Sequence, residues 1–130
     1  MLVRAADGPA IVACNTCRRA RDTARSGAQL VAALRAVQAS DPRYAAVTVQ
    51  EMSCLFACGD ACTLHLRAPG KIGYVLGRFT ADEDSARAIL DYAVHYAASA
   101  DGEVPFALWP EGVKGHFLTR MPPPGFLVAD

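Results

Sequence analysis

Apolar residues recur with two different periods along this chain, and each change of period marks an element. Residues 10–13 form an unbroken apolar run that ends at Cys14, which suits a short buried strand. Across residues 26–40 the spacing lengthens: Leu30, Leu34 and Val37 fall at i, i+4 and i+7, the buried stripe of a helix. Asp41-Pro42 ends that helix, because a residue before proline disfavours the helical region. Residues 46–52 alternate, with Val47 and Val49 on one face and Thr48 and Gln50 on the other, a half-buried strand that leads into Cys54. Residues 63–68 alternate again, Leu64 and Leu66 against Thr63, His65 and Arg67. Ala68-Pro69-Gly70-Lys71 is a turn signal, and residues 71–77 return as the second strand of a β-hairpin. Thr80 and Glu83 have the spacing of a capping box. The helix behind them is predicted to run to about residue 99, with Ala86, Ile89, Leu90, Ala93 and Ala97 on its apolar face. Asp101-Gly102 stops it. Prolines 105, 110, 122, 123 and 124 then predict an extended tail packed on the surface over residues 102–130.

The resulting order is strand, helix, strand, strand, strand, helix. The first strand–helix–strand is expected to be a right-handed parallel unit. The hairpin adds antiparallel strands, and the last helix covers a face of the sheet. This is an α/β, thioredoxin-like order: a mixed four-stranded sheet, two main helices and a C-terminal tail, with the usual middle helix reduced to the loop from Cys54 to Cys62. At 130 residues the chain suits one domain. A hydrophobic fraction of 52% supplies a core without disulfide staples.

All five cysteines lie in two groups, Cys14-Asn-Thr-Cys17 and Cys54-Leu-Phe-Ala-Cys58-Gly-Asp-Ala-Cys62. Each group follows a predicted strand. Parallel neighbouring strands would bring the two loops together at the sheet end where sites gather in open α/β folds. Grouped thiolates are soft donors that suit a [2Fe–2S] cluster or Zn²⁺. A zinc ribbon shows two CxxC knuckles, which the second group does not match. A dithiol oxidoreductase using Cys14 and Cys17 is a further reading, since CxxC after a strand suits redox chemistry; it leaves Cys54, Cys58 and Cys62 without a role. Packing as small core residues is the remaining alternative.

The run from Cys54 to Ala61 followed by a strand resembles the second half of thioredoxin-like [2Fe–2S] ferredoxins, and the small [2Fe–2S] subunit of respiratory complex I carries a similar segment. A second resemblance covers nearly the whole chain. It rests on Cys14-Asn-Thr-Cys17-Arg18, Cys54 to Thr63, Ala68-Pro69-Gly70-Lys71, Tyr74, Asp101-Gly102 with Pro105, and Arg120-Met-Pro-Pro. On these segments the chain resembles the DUF1636 family, described as predicted metal-binding proteins. The ferredoxin resemblance implies Cys54 and Cys58 as one ligand pair, with Cys14 and Cys17 in place of the other at a shorter spacing. Cys62 has no counterpart in that four-ligand pattern; it is a packed residue or an alternative ligand. The implied function is one-electron transfer to a soluble redox partner protein, with no catalysis of its own. An all-cysteine cluster carries about −2 when oxidised; Arg18, Arg19 and the backbone amides of Gly59 and Asp60 are candidates to offset it. By the same resemblance, a zinc- or cobalt-handling binding protein is the second reading, and a homodimer is an option.

Charge narrows the partners. Lys+Arg is 13 and Asp+Glu is 13, a formal charge of zero, which lacks the basic footprint of a nucleic-acid binder. The start Met1-Leu-Val-Arg lacks a signal-peptide apolar stretch, and no window approaches a membrane span. These features point to the cytoplasm, where thiols stay reduced. His65, His95 and His116 form no Cys-x-His unit, so no Rieske-type centre is expected. Trp109, with Phe106 and Pro110, is expected to anchor the tail.

Overall fold

The structure, a computed structural model, describes residues 1–17 and 26–129 apart from the side chain of Cys58. Among them the chain forms β1 (Ala10–Cys14), α1 (Ser26–Ser40), β2 (Thr48–Met52), β3 (Leu64–Arg67), β4 (Gly73–Leu76), α2 (Glu83–Ala98) and β5 (Phe117–Met121). The sheet order is β2-β1-β3-β4-β5. β1 and β2 run parallel with Cys14 opposite Met52, and the remaining neighbours are antiparallel. The expected βαβ unit, hairpin and covering helix are all present.

The sheet has five strands rather than the four expected. The fifth comes from the tail: Phe117–Met121 pairs with β4, with a register shift between Val75 and Leu76. Proline density predicts an extended tail packed on the surface. Yet the prolines flank the stretch between Pro110 and Pro122 without interrupting it, so every amide of β5 remains able to join the ladder. The free edge of β4 supplies the matching groups.

Helix α1 spans the residues its periodicity predicts and buries Leu30, Val31, Leu34 and Val37. Helix α2 buries Ala86, Ile89, Leu90 and Ala93, together with Tyr92 and Tyr96. The two helices pack against each other, and α1 also lies on β1 and β2. The core between helices and sheet is filled by Ile11, Leu30, Leu34, Leu64, Leu66, Leu76 and Leu90. The cap of α2 differs from the expected box. Asp82, not Thr80, is the N-cap, and its carboxylate accepts from the Ser85 amide at 2.8 Å. A carboxylate here gains from the helix dipole as well as the hydrogen bond. Glu83 pairs instead with Arg87 one turn on, at 2.9 Å.

The hairpin turn has a second duty. The Lys71 ammonium donates to the carbonyls of Tyr96 (3.2 Å) and Ala97 (2.7 Å), in the last turn of α2. The Ser99 amide at the C-cap also reaches the Tyr96 carbonyl, at 3.2 Å, and the helix dipole favours a cation at this end. Lys71→Met should therefore lower stability by about 1–2 kcal/mol in urea unfolding without moving the sheet. Gly102 closes the same corner at φ 90°, where a Cβ would press on Tyr96 and the backbone of Ile72.

His65 lies half-buried on β3. Burial, followed by the charge of Arg67, holds its imidazole below the ordinary value near 6.5. In the unfolded chain it would take a proton near pH 6.5, while the folded chain resists until lower pH. The unfolded state then binds more protons in that window, so stability should fall as pH drops below about 6.5. Urea midpoints measured across this range should show the slope, and His65→Gln should flatten it.

Candidate functional site

The two cysteine loops meet at one end of the sheet. β1 and β2 deliver Cys14 and Met52 side by side at their C-terminal ends. The Cys14 amide donates to the Thr63 carbonyl at 3.0 Å, and the Asn15 amide to the Met52 carbonyl at 2.9 Å. The chain leaving β1 is thus held between the loop after β2 and the start of β3. Side chains reinforce this: Asn15 bonds Glu51 at 2.8 Å, and the Thr16 hydroxyl donates to the Ser53 carbonyl.

Cys14 and Cys17 are buried, and their sulfurs lie 2.8 Å apart with Cys17 donating. The Cys14 sulfur is 3.8 Å from the carbonyl of Ser53, the residue before Cys54. Leu55 packs on the small cluster formed by Cys14, Cys17 and Ala61. The second loop therefore lies directly over the first pair, as the parallel-strand argument expects. Cys54 is partly exposed, and its sulfur accepts the Phe56 amide at 3.3 Å. The Cys58 side chain and residues 18–25, with Arg18 and Arg19, lie outside the described residues. Cys62 is fully buried and belongs to the main core, among Leu64 and its neighbours. Among the described residues, no three Cys, His, Asp or Glu side chains stand close enough to hold a metal ion. No disulfide joins Cys14, Cys17, Cys54 or Cys62.

Burial pushes the Cys14 thiol up, but hydrogen bonds from Cys17 and Thr16 together outweigh it and hold Cys14 below its ordinary value. Burial, then the bond to Cys14, pushes Cys17 up, against a contact of 3.5 Å with the Thr63 hydroxyl. Of this pair, Cys14 carries negative charge the more readily and Cys17 retains its proton.

One expected donor is spent elsewhere. The Asp60 amide bonds the Ala57 carbonyl at 2.9 Å, closing a short 3-10 turn, while Phe56 turns its own amide to sulfur. Phe56 does so at φ 58°, with its ring 96% exposed. The pattern did not point to Phe56, because an N–H aimed at a sulfur two residues back depends on backbone angle, not residue type. His116 is used structurally: Nδ1 lies 2.9 Å from the Gly77 carbonyl, and the ring stacks on Phe79 at 4.3 Å. Trp109 anchors the tail, its indole N–H donating to the Val104 carbonyl at 2.9 Å.

No described helix is long and apolar enough to cross a membrane. Two solved structures share the architecture. A thioredoxin-like [2Fe–2S] ferredoxin from Aquifex aeolicus matches with a TM-score of 0.56 and 14% identity, covering 94% of this chain and 100% of that one. The wild-type thioredoxin-like [2Fe–2S] ferredoxin from Aquifex aeolicus, a crystal structure at 1.5 Å, matches with a TM-score of 0.51 and 15% identity, covering 68% and 87%. The fold is therefore thioredoxin-like. No curated protein matches the chain. The family model described as "Protein of unknown function (DUF1636)" matches residues 11–123, and the chain belongs to that family.

Proposed function

We propose that this protein is a small one-electron carrier whose Cys14, Cys17, Cys54 and Cys58 hold a [2Fe–2S] cluster. The observation that carries this reading is the seat of the Cys54 loop on the Cys14–Cys17 pair, with the Cys14 sulfur 3.8 Å from the Ser53 carbonyl. The donor chemistry fits the group: soft sulfurs, a depressed thiol at Cys14 and an apolar wall from Leu55 and Ala61. When bound, the cluster supplies a one-electron couple. The chain's own part is to hold the sulfurs, limit water and aim donors at them. Leu55 and Ala61 shield the buried pair, Phe56 directs its amide to Cys54, and Thr63 contacts Cys17. Fold likeness to the two ferredoxins agrees with this reading at the level of architecture.

A second reading draws on the Cys14–Cys17 pair alone. A buried pair with one depressed thiol suits thiol–disulfide exchange, in which Cys14 attacks and Cys17 resolves. Purification without oxygen separates the readings. A brown protein with about two irons and two labile sulfides per chain supports the carrier. A sulfide-free product, colourless with zinc or blue-green with cobalt, would point to metal handling. A metal-free product that reduces insulin through Cys14 and Cys17 would favour the dithiol enzyme.

A further inference from the structure

The tail does more than add a strand. Between β4, β5 and the segment after α2 it encloses a cleft of about 740 Å³. That lies within the roughly 300–1,000 Å³ typical of small-molecule sites. The cleft shares no residue with the cysteine loops.

Its walls are aromatic. Tyr74, Trp109 and Phe117 line it, each partly exposed. Trp109 and Phe117 lie 4.6 Å apart at an interplanar angle of 33°, and Tyr74 meets Phe117 edge-on at 5.5 Å. Trp109 already spends its indole N–H on Val104, so it offers the cleft a ring face and no donor. Such a wall suits a flat, apolar ring better than a polyol, which would need donors and acceptors along its length.

The rim carries charge of both signs, Asp101 and Glu103 against Arg120. Arg120 pairs with Tyr74 across β4 and β5, so both project from the same face. Asp101 is already engaged, its carboxylate accepting the Glu103 amide at 2.9 Å and the Ser99 hydroxyl at 3.2 Å. Glu103 stands exposed at the opening. The Tyr74 hydroxyl reports the local sign. After burial, the charge of Glu103 raises it most, Arg120 opposes, and Asp101 adds to the rise. The rim thus sets two carboxylates, Asp101 and Glu103, against one guanidinium, Arg120.

We propose that this cleft binds a small aromatic amine, with its flat ring against Trp109 and Phe117 and its ammonium between Glu103 and the Tyr74 hydroxyl. Charge complementarity selects the amine: an acid of the same shape would meet Glu103 and Asp101. Aromatic faces add attraction for a neighbouring cation.

Trp109 is the single tryptophan of the chain; it also borders a smaller pocket beside Arg43 and Asp91, and Glu103, which lines this cleft and not that pocket, tells the two apart. The test titrates the full-length protein with tyramine and, separately, with 4-hydroxyphenylacetate, which exchanges the ammonium for a carboxylate. Tyramine should shift or quench Trp109 saturably, and the acid should bind at least about tenfold more weakly, as expected when a charge-assisted hydrogen bond is lost. Glu103→Gln should weaken tyramine by a similar factor while leaving the urea midpoint unchanged, since the side chain is exposed. Equal binding of the two probes, no saturable change with tyramine, or a Glu103→Gln protein that binds tyramine normally would each overturn the assignment. None of these outcomes depends on whether the cysteines hold a cluster.

Discussion

Cys54→Ser and Cys58→Ser proteins, purified without oxygen, should emerge colourless and with little labile sulfide. Serine replaces a soft, readily ionised sulfur with a hard hydroxyl that ligates iron or zinc poorly at neutral pH. One missing ligand from a set of four opens the site to water and should remove most of the visible absorption. Cys62→Ser should behave differently. Its side chain is fully buried in the main core, so the change exchanges a weakly polar thiol for a more polar hydroxyl there. That costs on the order of 1–3 kcal/mol and should leave the visible spectrum of the folded protein largely intact. The measurement is paired: absorption and iron content for each variant, with urea midpoints alongside. If Cys62→Ser loses its colour while Cys58→Ser keeps it, the fourth ligand is Cys62 and the ferredoxin pattern has been transferred to the wrong residue.

Gly27→Ala should destabilise the chain by about 3 kcal/mol, near the upper end of overpacking costs. Gly27 lies in the first turn of α1, and a Cβ built there overlaps the backbone carbonyl of Cys14. The Gly27 amide also donates to the Cys17 carbonyl at 2.9 Å. Backbone cannot swing aside as a long side chain can, so either the helix lifts or the Cys14–Cys17 loop shifts. Both would loosen the thiol pair, and Cys14 in the apo protein should react faster with iodoacetamide. Gly59→Ala is the control: nothing lies within 4 Å of its Cβ position, and it should stay within about 0.5 kcal/mol of the parent. A Gly27→Ala protein as stable as the control would mean that the helix start is not fitted against the cysteine loop.

Much of this fold can be read locally. The stripe of Leu30, Leu34 and Val37, the alternation around Val47 and Val49, and the turn at residues 68–71 each encode an element within a few residues of chain. Alternation and helical spacing are properties of near neighbours, and neighbours are what a sequence displays. The cap of α2 was misplaced by two residues, because Thr80 and Asp82 both present a suitable oxygen and only the helix entry angle selects between them. The fifth strand was missed for a related reason: whether residues 117–121 pair depends on the bare edge of β4, some forty residues earlier in the chain.

The site divides in the same way. Sequence alone named the five sulfurs, grouped them behind two strands and predicted that parallel pairing would bring the groups together. Only tertiary structure decided which sulfurs face which. It set Cys14 against Cys17, laid the Ser53–Leu55 segment over them, turned the Phe56 amide to Cys54 and sank Cys62 into the core. It also assembled the aromatic cleft from β4, β5 and the tail, residues with no shared spacing. The physical reason is common to all of these: residue type and period specify which surfaces are apolar, but contacts between distant segments follow from how those surfaces are packed.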